Sequence, residues 1–465
     1  MIPATPTPRR RALKEVRELA HLGLPIVATQ LAQAAMGMAD TLMAGRYSAD
    51  DLAGVAIGSS LWVPLLLLFT GILMATIPLV SQAFGADERH QINTTLQQGS
   101  WLALLLGLLG AWALAHAPPL YRWLEVDAAM LRVGSGYIQA LAWGMPAAAL
   151  YTLLRCGQEA LHQTRTIMLI SIAGLLVNIP LNYLLIYGYL GLPEMGGVGC
   201  GWATTIALWA QLVLATLLTV RSPHFAQIRF WRHWQAPRLR EQAELLRIGI
   251  PIGVAIFIEA SMFLLIALLL TPLGSVVVSG HQIAFSVISV TFMIPLSLSM
   301  AISIRVGFTL GRRDPRGARR VATTGLALGG AIALITGSLM LLLARTIAGG
   351  YSNEPEVVEL ATALLILAAI FQLSDVIQVC AAGALRGYKD TRFPLYGAFI
   401  AYWLIGLPVG YSLAMTPLWG APMGAQGFWI GFISGLTVAA TALTIRLHRT
   451  SRQRVLAGNT ARQLH

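Results

Sequence analysis

Glu18-Leu19-Ala20-His21-Leu22-Gly23-Leu24-Pro25-Ile26 recurs 226 residues later as Glu244-Leu245-Leu246-Arg247-Ile248-Gly249-Ile250-Pro251-Ile252. The same shift brings Gly85 onto Gly311. A shift of 228 brings Pro180 onto Pro408, and Met195-Gly196 and Gly199 onto Met423-Gly424 and Gly427. Matches that keep nearly one offset through both halves indicate a duplication. The material around them is strongly apolar: 56% of the 465 residues are hydrophobic and 11% charged. Uncharged stretches such as Leu96–Ala115 and Val321–Leu343 are long enough to cross a bilayer, which takes roughly 20 apolar residues. Twelve spans are expected, near 20–45, 54–80, 96–116, 132–154, 166–189, 198–220, 248–271, 279–303, 321–344, 357–383, 394–414 and 424–446.

Six spans per copy is an even number, so both copies start on the same side of the membrane. The repeat is then parallel, with its axis along the membrane normal. The sequence divides into an N-terminal six-helix bundle (1–220), a cytoplasmic linker (221–247) and a C-terminal six-helix bundle with a cytoplasmic tail (248–465). The linker holds Pro223, Pro237 and eight positions of Arg or His. Two bundles meeting at an axis leave a central cleft.

The formal charge of +12 would suggest nucleic-acid binding in a soluble chain. The distribution argues otherwise. Of 32 Lys and Arg, 28 fall on one side of the expected spans, with Arg46, Arg122, Arg132 and Arg345 on the other. This is the positive-inside bias. It places both termini and the linker in the cytoplasm and leaves no call for a nucleic-acid partner. Met1–Pro8 has no apolar core before a cleavage site, so no signal peptide is evident. Cys156, Cys200 and Cys380 form no metal or CxxC spacing.

A charge at a helix centre costs about 2.5–3.5 kcal/mol on insertion scales, so intramembrane acids mark function. Three fall within spans: Glu259 and Asp375 near the middle, and Asp40 nearer the outer end, with no Lys or Arg expected at comparable depth. Such acids bind protons, metal cations or organic cations in competition. Gln30, Gln33, Gly37 and Asp40 are spaced 3, 4, 3 and share one helical face. Asn178 and Asn182 lie one turn apart around Pro180. Gln372, Asp375 and Gln378 step by three in span ten, and His281 and Gln282 stand near the outer end of span eight. Pro25 and Pro251 occupy equivalent positions and are candidate bending points. No HExxH or clustered His/Asp pattern suggests an enzyme.

Taken in order, Leu22-Gly-Leu-Pro-Ile26, Met38-Ala-Asp-Thr-Leu-Met-Ala-Gly45, Gly280-His-Gln-Ile-Ala284 and Ala384-Leu-Arg-Gly-Tyr-Lys-Asp-Thr-Arg392 resemble the multidrug and toxic compound extrusion (MATE) transporters, in their bacterial NorM-like branch. The resemblance covers about Glu18 to Arg446. It implies an all-α integral membrane protein, V-shaped around its cleft, in the bacterial cytoplasmic membrane. It implies export of cationic amphipathic molecules in exchange for inward H⁺ or Na⁺, by a monomer that needs no cofactor. Glu259 and Asp375 match the C-lobe cation site, and would be sodium ligands only under Na⁺ coupling. Asp40 and its neighbour Asn178 match the N-lobe site. Where some relatives carry a second acid, this chain has Asn182. Where some sodium-coupled relatives place Tyr, it has Phe371, which offers a ring face but no hydroxyl. That tilts the expectation toward protons. The substrate-facing set is Asp40, Asn178, Asn182, Gln282, Gln30, Gln33 and Phe371. The alternative is a flippase for lipid-linked precursors in the same superfamily, which would line its cavity with Arg to hold a pyrophosphate.

Overall fold

The structure is a computed structural model that describes residues 8–117, 119, 128–228, 230 and 234–463. Among the described residues there are helices and turns and no strand. In chain order the helices are α1 (Pro8–Tyr47), α2 (Ala49–Leu73), α3 (Thr76–Gly85), α4 (Arg89–Ala115), α5 (Ala128–Ala160), α6 (Thr164–Tyr187), α7 (Gly197–Arg221) and the short α8 (Pro223–Ile228). They continue with α9 (Leu239–Leu270), α10 (Ser275–Thr291), α11 (Met293–Gly311), α12 (Pro315–Tyr351), α13 (Pro355–Gly387), α14 (Arg392–Phe399), α15 (Leu407–Met415) and α16 (Ala425–Gln463).

Two expected spans are each broken into two helices, and a third, α14–α15, runs through a π-helical stretch. The break between α2 and α3 falls at Met74–Ala75, and that between α10 and α11 at Phe292. Pro78 and Pro295 follow these breaks by three or four residues. A proline removes its own donor and clashes with the carbonyl four residues back, which puts the disturbance where it is seen. Counting α2–α3, α10–α11 and α14–α15 as one span each, eleven segments among the described residues are long and apolar enough to cross a membrane. The twelfth is α5, 33 residues long. Arg132, Gln139 and several glycines make it less apolar. It packs against α2, α4 and α7, so protein covers much of its surface and lipid-like apolarity is not required of it.

The described residues fall into two compact units. One comprises those of Pro25–Gly253, the other those of Met1–Leu24 and Val254–His465. In the first, α5 is the central helix. α4 reaches it closely at Gly107, where a Cβ would lie 2.6 Å from Pro146 Cα. In the second, α13 is central, against α10, α11, α12 and α16. There α16 meets α15 across glycines: a Cβ on Gly431 would lie 2.5 Å from Gly410 Cα. Small residues at such crossings let membrane helices approach and gain packing, where no hydrophobic drive exists.

The duplication is written in the backbone as well. Asp87 (φ 56°) and Arg313 (φ 57°) are left-handed and 226 residues apart. His162 and Lys389 (both φ 62°) are 227 apart, and Gly196 (φ 55°) and Gly424 (φ 57°) 228 apart. Each pair closes the same helical hairpin in its own copy.

The segment after α8 is held to α4. Gln97 Nε2 donates to the Phe230 carbonyl at 2.8 Å and Gln98 Nε2 to the Ala236 carbonyl at 2.9 Å. The amide of Arg238 donates back to Gln98 Oε1, and Trp101 Nε1 donates to the Gln235 carbonyl, both at 2.9 Å.

Candidate functional site

In the 25–253 unit the buried Asp40 of α1 is met by α6 and α7. Asn182 Nδ2 donates to Asp40 Oδ1 at 2.6 Å, and Asn178 Nδ2 approaches the same oxygen at 3.4 Å. Thr204 Oγ donates to Oδ2 at 2.7 Å. Asn178 Oδ1 accepts from Asn182 at 3.1 Å. Asn178 and Asn182 face Asp40 together because they are one helical turn apart. The carboxylate thus has donors on both oxygens, which offsets much of the cost of burying it.

The second acidic site belongs to the other unit and is built differently. Glu259 of α9 accepts from the Tyr402 hydroxyl at 3.0 Å. Tyr402 stands in a π-helical stretch, Ile400–Gly406, between α14 and α15. Pro408 follows it and cannot donate, so the ladder must loosen upstream; such π turns recur at functional sites. Asp375 of α13 lies close enough to Glu259 for their charges to repel. Asp375 Oδ1, Gln372 Oε1 and Gln378 Oε1 are buried acceptors with no hydrogen-bond partner. α13 therefore presents a stripe of acceptors with few donors, the opposite balance to Asp40. One turn before Asp375, the buried Phe371 packs edge-on against Trp429 and Phe432, with ring centres at 5.8 and 6.1 Å. Trp429 Nε1 donates to His281 Nδ1 at 3.3 Å. Among the described residues no group of three or more His, Cys, Asp or Glu is placed to hold a metal ion.

Gln30 and Gln33 share a face of α1 with Asp40 but stand two to three turns before it. Gln30 Oε1 accepts from Arg155 Nη1 at 3.1 Å. Gln33 reaches the Tyr151 hydroxyl, which also bonds Ser171 Oγ at 2.8 Å. Gln282 is exposed, while its neighbour His281 is buried.

Several residues were not singled out by sequence. Thr204 and Tyr402 each hold an acid. Glu159, near the end of α5, is a further buried acid, 0% exposed, with neither carboxyl oxygen hydrogen-bonded. Arg155 and Arg386, 4% and 9% exposed, are buried cations near the ends of their helices. Arg386 Nη2 donates to Ser299 Oγ at 2.6 Å, and its charge reaches Glu259. Both arginines flank the expected span ends, where sequence reading assigns them to the cytoplasm.

A family model described as MatE matches residues 25–184 and again 251–412, two copies that begin 226 residues apart. Multidrug resistance protein PmpM of Pseudomonas aeruginosa is 44% identical over 453 residues, 97% of this chain and 95% of that protein. Multidrug resistance protein NorM of Vibrio vulnificus is 44% identical over 443 residues, 95% of this chain and 97% of that protein. The crystal structure of the eukaryotic MATE transporter AtDTX14 shares the fold, with a TM-score of 0.85 at 21% identity, over 96% of this chain and 100% of that one.

Proposed function

The chain belongs to the MatE family, a family of transporters and not of enzymes, and on that premise we infer that it exports cationic drugs and other organic cations from the cytoplasm in exchange for inward H⁺. It works by alternating access in the bacterial cytoplasmic membrane, as a monomer in lipid with both termini in the cytoplasm. The observation that carries this reading is the acceptor-rich pair Glu259 and Asp375, with one donor, Tyr402, on Glu259. Two neighbouring carboxyls, Asp375 buried and Glu259 half-buried, hold one positive charge between them readily, as a proton or as a cation. A proton arriving from outside cancels the attraction for a cationic drug and favours its release. Loss of that proton to the cytoplasm restores the drug site. A charge moving down 100 mV contributes about 2.3 kcal/mol to each turnover.

Asp40, with Asn178, Asn182 and Thr204, is the second cation-responsive site, and Gln30, Gln33, Gln282 and Phe371 remain candidate drug contacts. Na⁺ is the other possible driver. Glu259 and Asp375 would then be its ligands, but Phe371 lacks a hydroxyl to complete the shell. Pro25 and Pro251 are the candidate bending points of α1 and α9. The test is ethidium efflux from proteoliposomes with ΔpH and ΔNa⁺ imposed separately. ΔpH should drive efflux, and Glu259→Gln and Asp375→Asn should each abolish it. Wild-type rates in both variants would sink the assignment.

A further inference from the structure

Glu159 has no role in the reading above, and its surroundings are unusual. It is fully buried in the 25–253 unit, and no donor reaches either oxygen. A bare carboxylate so placed would cost several kcal/mol, and far less as the neutral acid. One turn back on α5 lies Arg155, equally enclosed. Its Nη1 is committed to Gln30 of α1, and its Nε has no partner. Titratable groups near Glu159 include Arg155, Tyr151 and Cys156, all on α5, and His162, whose amide donates to the Glu159 carbonyl in the turn that closes the helix. Around this cluster, α1 contributes Gln30 and Gln33 and α6 contributes Ser171, none of which titrates. A helical i, i+4 pair can meet by side-chain rotation alone.

The repeat argues that this acid is no requirement of the fold. The shift of 227 that pairs His162 with Lys389 also pairs Glu159 with Arg386, and Arg155 with Ala382. The same buried turn therefore carries opposite charge in the two copies. In one copy the cation donates to Ser299 through Nη2 although its Nε has no partner; in the other neither oxygen of the acid has one.

We propose that Glu159 is a further proton-exchanging site, and that its charge decides whether Arg155 holds α1 through Gln30 or turns to Glu159. With Glu159 protonated, Arg155 stays on Gln30, the arrangement seen here. When the proton leaves to water, the carboxylate draws the guanidinium one turn along α5, and α1, the helix that carries Asp40, loses that contact. The proposal rests on the proton-coupled reading for its place in transport, but its chemistry is testable alone.

Infrared spectra of the purified protein in lipid at neutral pH should contain the C=O stretch of a protonated carboxyl that disappears in Glu159→Gln. In Glu159→Asp, which keeps an acid and serves if the Gln variant misfolds, the band should move. Arg155→Gln should leave the band present. A carboxyl band that neither Glu159 substitution alters would overturn the proposal. Efflux driven by ΔpH in the wild type is measured alongside. If ΔpH drives none, the proton-coupled reading fails, while the infrared result still decides the state of Glu159.

Discussion

At the scale of single residues, the two acidic sites differ in how many donors they hold. Asp40 receives hydrogen bonds on both oxygens, whereas Glu259 depends on Tyr402. Tyr402→Phe keeps the buried ring and removes the one hydroxyl. A hydrogen bond to a charged group contributes about 1.5–3 kcal/mol, so ΔpH-driven ethidium efflux should fall about tenfold to a hundredfold. Expression and thermal midpoint should stay near wild type. The acids Asp40, Glu259 and Asp375 were legible because a charge inside an apolar run has no other excuse. Thr204 and Tyr402 were not, because hydroxyls are ordinary inside membrane helices. Their partners appear only once the registers of α7 and the π turn are fixed. Glu159 escaped for another reason. It sits beside Arg155 at a span end, where charges are expected, and only its burial sets it apart.

At the scale of elements, the close helix pairs are set by glycine. Gly431 on α16 has no room for a side chain beside Gly410 and Gly406 of the facing segment. Gly431→Val should force α15 and α16 apart and cost about 1–3 kcal/mol. The expected outcome is a lower thermal midpoint in detergent, with efflux reduced because the π turn carrying Tyr402 is disturbed. The broken second spans were foreseeable from Pro78 and Pro295. The π stretch was less so, since Pro180, the partner of Pro408 in the repeat, passes through α6 without leaving α-helical geometry. A proline signals that the ladder must adjust, but the neighbouring helices decide how.

At the scale of the whole chain, the duplication was the most legible feature, because the offset drifts by two residues over the full length and the left-handed turns follow it. The charge distribution predicts the topology, with both termini in the cytoplasm. A green fluorescent protein fused after His465 should fluoresce, and alkaline phosphatase inserted after Asn353 should be active. The reverse pattern would invert the orientation. The weakest span in sequence, α5, turned out to be a central one, since a helix enclosed by protein need not look like one facing lipid.

The unit boundary has a consequence for how the protein is made. Leu19 and Leu22 are buried, and Glu15 pairs with Arg305 at 2.8 Å, within the unit that otherwise spans Val254–His465. Residues synthesised before the 25–253 unit therefore belong with those synthesised after it. The 25–253 unit has all its parts once residue 253 has been synthesised. The other must keep its opening segment unsatisfied until residues beyond 253 have been synthesised. Order of synthesis and order of completion are thus opposed, and the protein's exposure to misassembly is concentrated in one short stretch, the start of α1.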